Sequence, residues 1–206
     1  MEESQDKRIY SETKNGITVI IDECLLESIP SNFFEEYPAW FRYALHHGRY
    51  DLGRYENSLD QYAYSNWEEY KKALIDTYAP LFIFPVYMLD HSGLAFSITP
   101  FSNKWDSGQI GWAYLTEDDV LDIAEITDEP VTKESAEKLL LKELNAYESY
   151  CNGIAYYVCI IDKNGKSSTY TDFFGDDFNT NGIVDMIPEE FGRKEFLEDI
   201  NKLTKL

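Results

Sequence analysis

Residues 90–112 read DHSGLAFSITPFSNKWDSGQIGW. Strands are expected at 94–99 and 109–115, so most of this segment reads as paired strands with a connecting loop. Yet it also carries His91, Asp90, Asp106, Ser92 and Ser107, and Gly93, Gly108 and Gly111 stand beside them. A strand core does not need that polar inventory. Glycine marks positions where only a bare backbone fits, through sterics or a positive φ. The segment therefore sets both the fold class and the place to look for a site.

Working outward, a third strand is expected at 81–89. Pro85 restricts it to an edge position or a bulge, because proline cannot donate to a ladder. A helix is expected over 66–78, with Ser65 and Glu68 as a capping box and Trp67, Tyr70, Leu74 and Tyr78 at helical spacing. Acidic residues 117–127 read as a helix capped by Thr116. Residues 133–151 read as a longer helix, capped by Thr132 and ended at Gly153. A hairpin follows at 154–161 and 167–174, turned at Asp162-Lys163-Asn164-Gly165. Another covers 8–23, turned at Lys14-Asn15-Gly16. A short helix is expected over 33–45, interrupted near Pro38, and a last helix over 188–204. Strands and helices come in blocks rather than in alternation, which favours an α+β fold with a mainly antiparallel sheet. The expected arrangement is one compact domain over 1–206. It comprises the N-terminal hairpin 8–23, a core at 66–175 and the C-terminal helix 188–204. The strands 81–89, 94–99, 109–115, 154–161 and 167–174 are expected to share one sheet.

Bulk properties narrow the function classes. The chain has 206 residues, 44% of them hydrophobic, enough to bury a core. Its formal net charge is −20, from 38 acidic against 18 basic residues. Such a field repels nucleic acid and anionic membranes and attracts basic surfaces, including the nucleic-acid grooves of other proteins. Acidity also simply promotes solubility. Three irregularly spaced cysteines, Cys24, Cys151 and Cys159, argue against a disulfide framework or a zinc site and read as small buried hydrophobes. No apolar run reaches membrane-span length, and MEESQDKR has no apolar signal region, so a cytoplasmic location in a host cell is expected. No cofactor is expected.

Three constellations are candidates for chemistry. The histidines sit in two polar, glycine-rich segments, HHGRYDLG at 46–53 and DHSG at 90–93. Folding could bring His47, Asp90, His91 and Asp106 together as a metal or acid–base site, with Asp51 nearby and Ser92 or Ser107 as nucleophile. The alternative is that Asp90 and His91 satisfy the backbone of a turn, and that Asp106 closes an Asx turn before Ser107-Gly108. Residues 177–185, DFNTNGIVD, resemble the front of a calcium loop, with Asp177, Asn179, Asn181 and Asp185 as ligands. The closing carboxylate is missing, because Pro188 stands where it belongs. The third constellation is charge. No Lys or Arg occurs between 105 and 132. Asp118, Asp122, Glu125 and Glu129 follow i, i+4, i+7, i+11 as one stripe, leaving Leu121, Ile123 and Ile126 for burial. Such a stripe can imitate phosphate spacing, although a solvated face is the ordinary use of charge.

Four segments together resemble a family of phage and mobile-element proteins. They are HHGRYDLG, the run LFIFPVYMLDHSGLAFSITPFSNKWDSGQIGWAYLT at 81–116, NAYESYCNGIAYYVCI at 145–160, and DFFGDD at 172–177. The family pattern runs close to H-R-R-Y-x-L-G-D, then L-P-L-Y-x-Y-D-H-S-G, then P-F-x-C-x-W-D-S-G-Q-x-G. A tyrosine-rich helix and a strand ending in W-G-F-Y-G follow. Gly48 departs from the family's Arg, Asn103 from its Cys, and Thr171-Asp172 lie near the expected Trp. The resemblance brings no catalytic residue with it. It implies a counter-defence role: an anti-CRISPR or anti-restriction protein that binds a basic surface of a host defence nuclease, with DNA mimicry as one mode of binding. The binding residues would be Asp106, Asp118, Asp122, Glu125 and Glu129, with Asp176 and Asp177 from the acids of 172–190. The competing expectation is a metal-dependent hydrolase or nucleotide-modifying enzyme built on His47, Asp90, His91 and Asp106.

Overall fold

The structure is a computed structural model and describes residues 7–25, 33, 39–52, 59–175 and 177–203. Among these residues are eight strands and five α-helices. In chain order they are β1 (Lys7–Lys14), β2 (Ile17–Leu25), β3 (Arg42–Leu45), α1 (Trp67–Tyr78), β4 (Phe82–Asp90), β5 (Leu94–Ser97) and β6 (Ser107–Leu115). Then follow α2 (Glu117–Thr127), α3 (Lys133–Cys151), β7 (Ile154–Ile161), β8 (Ser167–Phe173), α4 (Ile183–Met186) and α5 (Arg193–Leu203). The α+β class and the antiparallel pairing hold. The single sheet does not: the strands form two four-stranded sheets, ordered β1-β2-β7-β8 and β3-β6-β4-β5. The chain divides correspondingly into two compact units, Met1–Ile29 with Asn145–Leu206, and Pro30–Leu144.

In the first unit, β1 and β2 turn at Asn15 and Gly16, both at positive φ, the geometry a two-residue hairpin requires. The β7–β8 turn is held by Asp162, whose Oδ1 accepts from Asn164 N and Lys166 N at 2.8 and 2.9 Å. Alternate residues Ile17, Val19 and Ile21 face the core, as the pattern predicts. Phe196 and Ile200, one turn apart on α5, are fully buried in the same cluster, and Phe196 meets Tyr10 edge to face at 5.2 Å. Truncating Phe196 to Ala costs about 3–5 kcal/mol on this basis. The last helix starts later than expected. Glu189–Phe191 form a single 3-10 turn, and Gly192, at φ 96°, separates it from α5. Cys151 is buried, and burial pushes its thiol up to about 12. Cys159 is half-buried, and the Cys24 side chain lies outside the described residues.

In the second unit, α1 lays Tyr70 and Leu74 against Ala44, Trp112 and Tyr114. Its N-cap is Asn66, whose side chain accepts from Glu68 N and Glu69 N, one residue beyond the expected Ser65. Residues 42–45 are strand, not the expected helix, and 34–38 lie outside the described residues. The reason is the buried Glu143 of α3. It accepts from Trp40 N at 2.7 Å, Phe41 N at 3.4 Å and the Tyr43 hydroxyl at 2.7 Å. Those amides are unavailable to a helix. Burial raises the Glu143 carboxyl, and the bonds it accepts oppose that rise. Pro85 fits its forecast: β5 pairs only Tyr87–Asp90 of β4, so that edge is open at Pro85, and a bulge follows between Val86 and Tyr87. On β6 the extra residue of the bulge is Ile110. Gly111 beside it, at φ 154°, approaches β3 so closely that a Cβ would fall 2.1 Å from the Ala44 carbonyl oxygen.

Candidate functional site

The bulge shapes one end of the second sheet. The Ile110 carbonyl accepts from His46 N at 2.7 Å, and the chain leaves β3 there into His46-His47-Gly48-Arg49-Tyr50-Asp51. Asp90, the last residue of β4, anchors this segment. Its Oδ2 receives Arg49 Nη2 at 2.7 Å and the Tyr50 hydroxyl at 3.0 Å. The His47 ring stacks on Tyr50 at 5.1 Å, and its Nδ1 accepts from Arg49 N at 3.3 Å. Partial burial and the neighbouring Arg49 guanidinium lower the His47 pKa, which favours the neutral imidazole. The bond to Asp90 raises the Tyr50 phenol. His46, His47, Arg49, Tyr50, Asp51 and Tyr62 line an open groove of about 330 Å³.

His91 and Asp106 form a second, adjacent pair at 3.3 Å. Ser92 and Gly93 turn the chain at positive φ, His91 N donates to the Gly93 carbonyl, and Asp90 N donates to the Asp106 carbonyl at 2.8 Å. Asn103 staples the following loop: its Oδ1 accepts from Trp105 N, and its Nδ2 donates to Asp106 Oδ2, both at 3.0 Å. The Ser107 hydroxyl donates to the Asn103 carbonyl. The DHSG and WDSGQ segments thus meet as a tied double turn. His47, Asp90, His91 and Asp106 do gather at one sheet end, but only His91 and Asp106 pair directly; Asp90 binds Arg49 and Tyr50, and His47 meets those same two residues. Among the described residues no three His, Cys, Asp or Glu side chains stand close enough to share one ion. Neither Ser92 nor Ser107 lines the groove. What the arrangement offers chemically is an imidazole stacked on a phenol that Asp90 clamps. Arg49, Tyr50 and Asn103 were not singled out from the sequence for these roles, although Arg49 and Tyr50 stand inside HHGRYDLG.

The calcium-like loop uses its polar groups internally. Asp177 Oδ1 accepts from Asn179 N and Asn179 Nδ2, and its Oδ2 accepts from Thr180 Oγ1. Asn181 bridges the Gly175 carbonyl and Ile183 N. Asp185 is exposed, and Asp176 lies outside the described residues. These are Asx turns, and they hold the Asp177 carboxyl below the usual range.

Helix α2 has the expected cap at Thr116, and Asp119 completes a capping box with it. Asp119 also takes a two-point contact from Arg42, with Nε to Oδ2 at 2.9 Å and Nη2 to Oδ1 at 3.0 Å. Asp118, Asp122 and Glu125 are exposed, as is Glu129, which lies past the helix end at Asp128. The apolar residues depart from expectation. Only Ile123 is buried; Leu121 is 60% exposed and Ile126 71%. They flank the acidic stripe on either side at helical spacing. No family model, curated protein or solved structure matches the chain. No helix among the described residues is long and apolar enough to cross a membrane.

Proposed function

We propose that the protein is an acidic inhibitor, encoded by a phage or mobile element. It docks on the basic nucleic-acid-binding surface of a host defence nuclease, either a CRISPR effector or a restriction enzyme. The observation that carries this reading is the outer face of α2. Asp118, Asp122, Glu125 and the following Glu129 stand in solvent, whereas Asp119 is turned inward onto Thr116 and Arg42. Leu121 and Ile126 remain exposed beside the stripe. A face used only for solubility does not need them, and a protein partner can bury them. The carboxylates would meet Arg and Lys that otherwise hold phosphates.

The test is capture from cells bearing such nucleases, at low and moderate salt. A nucleic-acid-binding protein should be retained at low salt and released steeply as salt rises, because exposed charges are screened over about 10 Å at 0.1 M. Neutralising Asp118 and Asp122 to Asn, and Glu125 and Glu129 to Gln, should abolish retention with the fold intact. Recovery of no such protein, or unchanged retention by that variant, counts against the reading.

A second reading, an enzyme acting on nucleotides or phosphoesters, rests on His47 stacked on Tyr50 in its groove. It requires turnover of such compounds that His47→Gln removes.

A further inference from the structure

Trp105 is 97% exposed. Its ring contributes nothing to the core, so the fold gives no reason for a tryptophan here. The backbone beneath it is nevertheless well fixed. Trp105 N is bound by Asn103 Oδ1, Asn103 Nδ2 holds Asp106, Asp106 pairs with His91, and the Ser107 hydroxyl closes on the Asn103 carbonyl. The Asp106 carbonyl is tied in turn to Asp90 N at the end of β4. A large aromatic ring on a pre-ordered loop binds with little further loss of backbone entropy, which is the property of an interface anchor.

We infer that Trp105 is a docking anchor that inserts into an apolar slot, rimmed by Lys or Arg, on a protein partner. A protruding ring calls for a concave apolar receptor. The net charge of −20 disfavours two other occupants, nucleic acid and a second copy of this chain, because both carry the same sign. The same field favours a basic rim. This contact is separate from the α2 face. β6 begins at Ser107, beside Trp105, and ends at Leu115, just before the α2 cap, so the two lie roughly 27 Å apart along one strand. The inference therefore stands apart from the reading of α2.

The experiment places a benzophenone amino acid at position 104, next to an intact Trp105, and a second one in place of the exposed, apolar Leu121, which leaves the α2 carboxylates intact. Each full-length protein is irradiated in bacterial cells that carry nuclease-based defence systems. The expected result is a protein adduct from position 104, with its cross-linked peptide in an apolar slot flanked by Lys or Arg. Trp105→Ala should cut that adduct at least about tenfold, Trp105→Phe should retain part of it, and the melting temperature should not move. Absence of an adduct from position 104 overturns the inference. So does an adduct that Trp105→Ala leaves unchanged, or one formed with nucleic acid or a second copy of the chain. Position 121 reports on α2 independently: an adduct there without one at 104 leaves the α2 reading standing and removes this one, and the converse pattern does the reverse.

Discussion

Each unit contains an aspartate that binds one arginine and one tyrosine hydroxyl, and the two trios do different work. In the first unit Asp22 receives Arg8 Nε at 2.6 Å, Arg8 Nη2 at 2.9 Å and the Tyr157 hydroxyl at 2.9 Å. The three residues are register partners on adjacent strands, Arg8 opposite Asp22 and Asp22 opposite Tyr157, so the trio fixes the alignment of β1, β2 and β7. In the second unit Asp90 holds Arg49 and Tyr50, which are neighbours on a single loop. There the same chemistry fixes the shape of a groove wall and the seat of His47. Placement decides the role: across strands a carboxylate stabilises pairing, and at a strand end it orders a surface.

Breaking the first trio should have the largest effect. Asp22 is buried, and Asp22→Ala removes the carboxylate that Arg8 and Tyr157 both bind. Because Arg8 itself is more than half exposed, a stability loss of about 1–2 kcal/mol is expected in urea denaturation followed by circular dichroism. The same trio sets a pH dependence. Arg8 holds the Asp22 carboxyl below its ordinary value, so its contribution is complete above the usual aspartate range and is lost as pH falls through the lowered folded value. The stability gap between the parent and Asp22→Asn should therefore be full at pH 6 and narrow below roughly pH 4. A gap that widens on acidification would contradict this assignment.

The second trio should respond more mildly. Asp90→Asn is expected to cost about 1 kcal/mol or less, since Arg49 is mostly exposed. Its clearer signature is spectroscopic: the Tyr50 phenol should titrate at lower pH in the variant, read by ultraviolet difference spectra. The smallest expected change is at His47. Its imidazole should titrate below the usual histidine value in nuclear magnetic resonance, and Arg49→Gln should move it up, because the guanidinium disfavours the imidazolium. An unchanged midpoint would separate Arg49 from His47.

Local signals in the sequence were enough for local structure. The turns at Asn15-Gly16 and Asp162–Gly165, and the caps at Thr116 and Thr132, place β1, β2, β7, β8, α2 and α3 to within a residue or two. The division into two sheets was not legible, because it depends on pairing β2 with β7 and β3 with β6, and strand patterns carry no partner identity. Residues 42–45 were misread because what removes the helix, Glu143, lies about a hundred residues away. Leu121 and Ile126 are five residues apart and fall on opposite flanks of α2, so their apolar character alone, without a shared helical face, did not place them in the core. At the site, composition alone marked HHGRYDLG and DHSG, and the structure brings them together. The clamp of Asp90 on Arg49 and Tyr50 needed coordinates, as did the display of Trp105.

The pairing of β2 with β7 also has a consequence in time. Thr18 lies opposite Ile161, so the first sheet is assembled from the two ends of the chain with Pro30–Leu144 inserted between them. At roughly 5–20 residues per second, a ribosome needs on the order of six to twenty-five seconds to make the intervening segment. Throughout that interval β1 and β2 exist only as a hairpin, and a lone hairpin is marginal in water. Pro30–Leu144 carries both β-strands and helices of its own sheet in one uninterrupted stretch, so it can close first. Its completion shortens the effective loop that the outer strands must span, and the entropy of that closure falls accordingly. In this order of events the inserted unit is a folding aid to the sheet that encloses it in sequence.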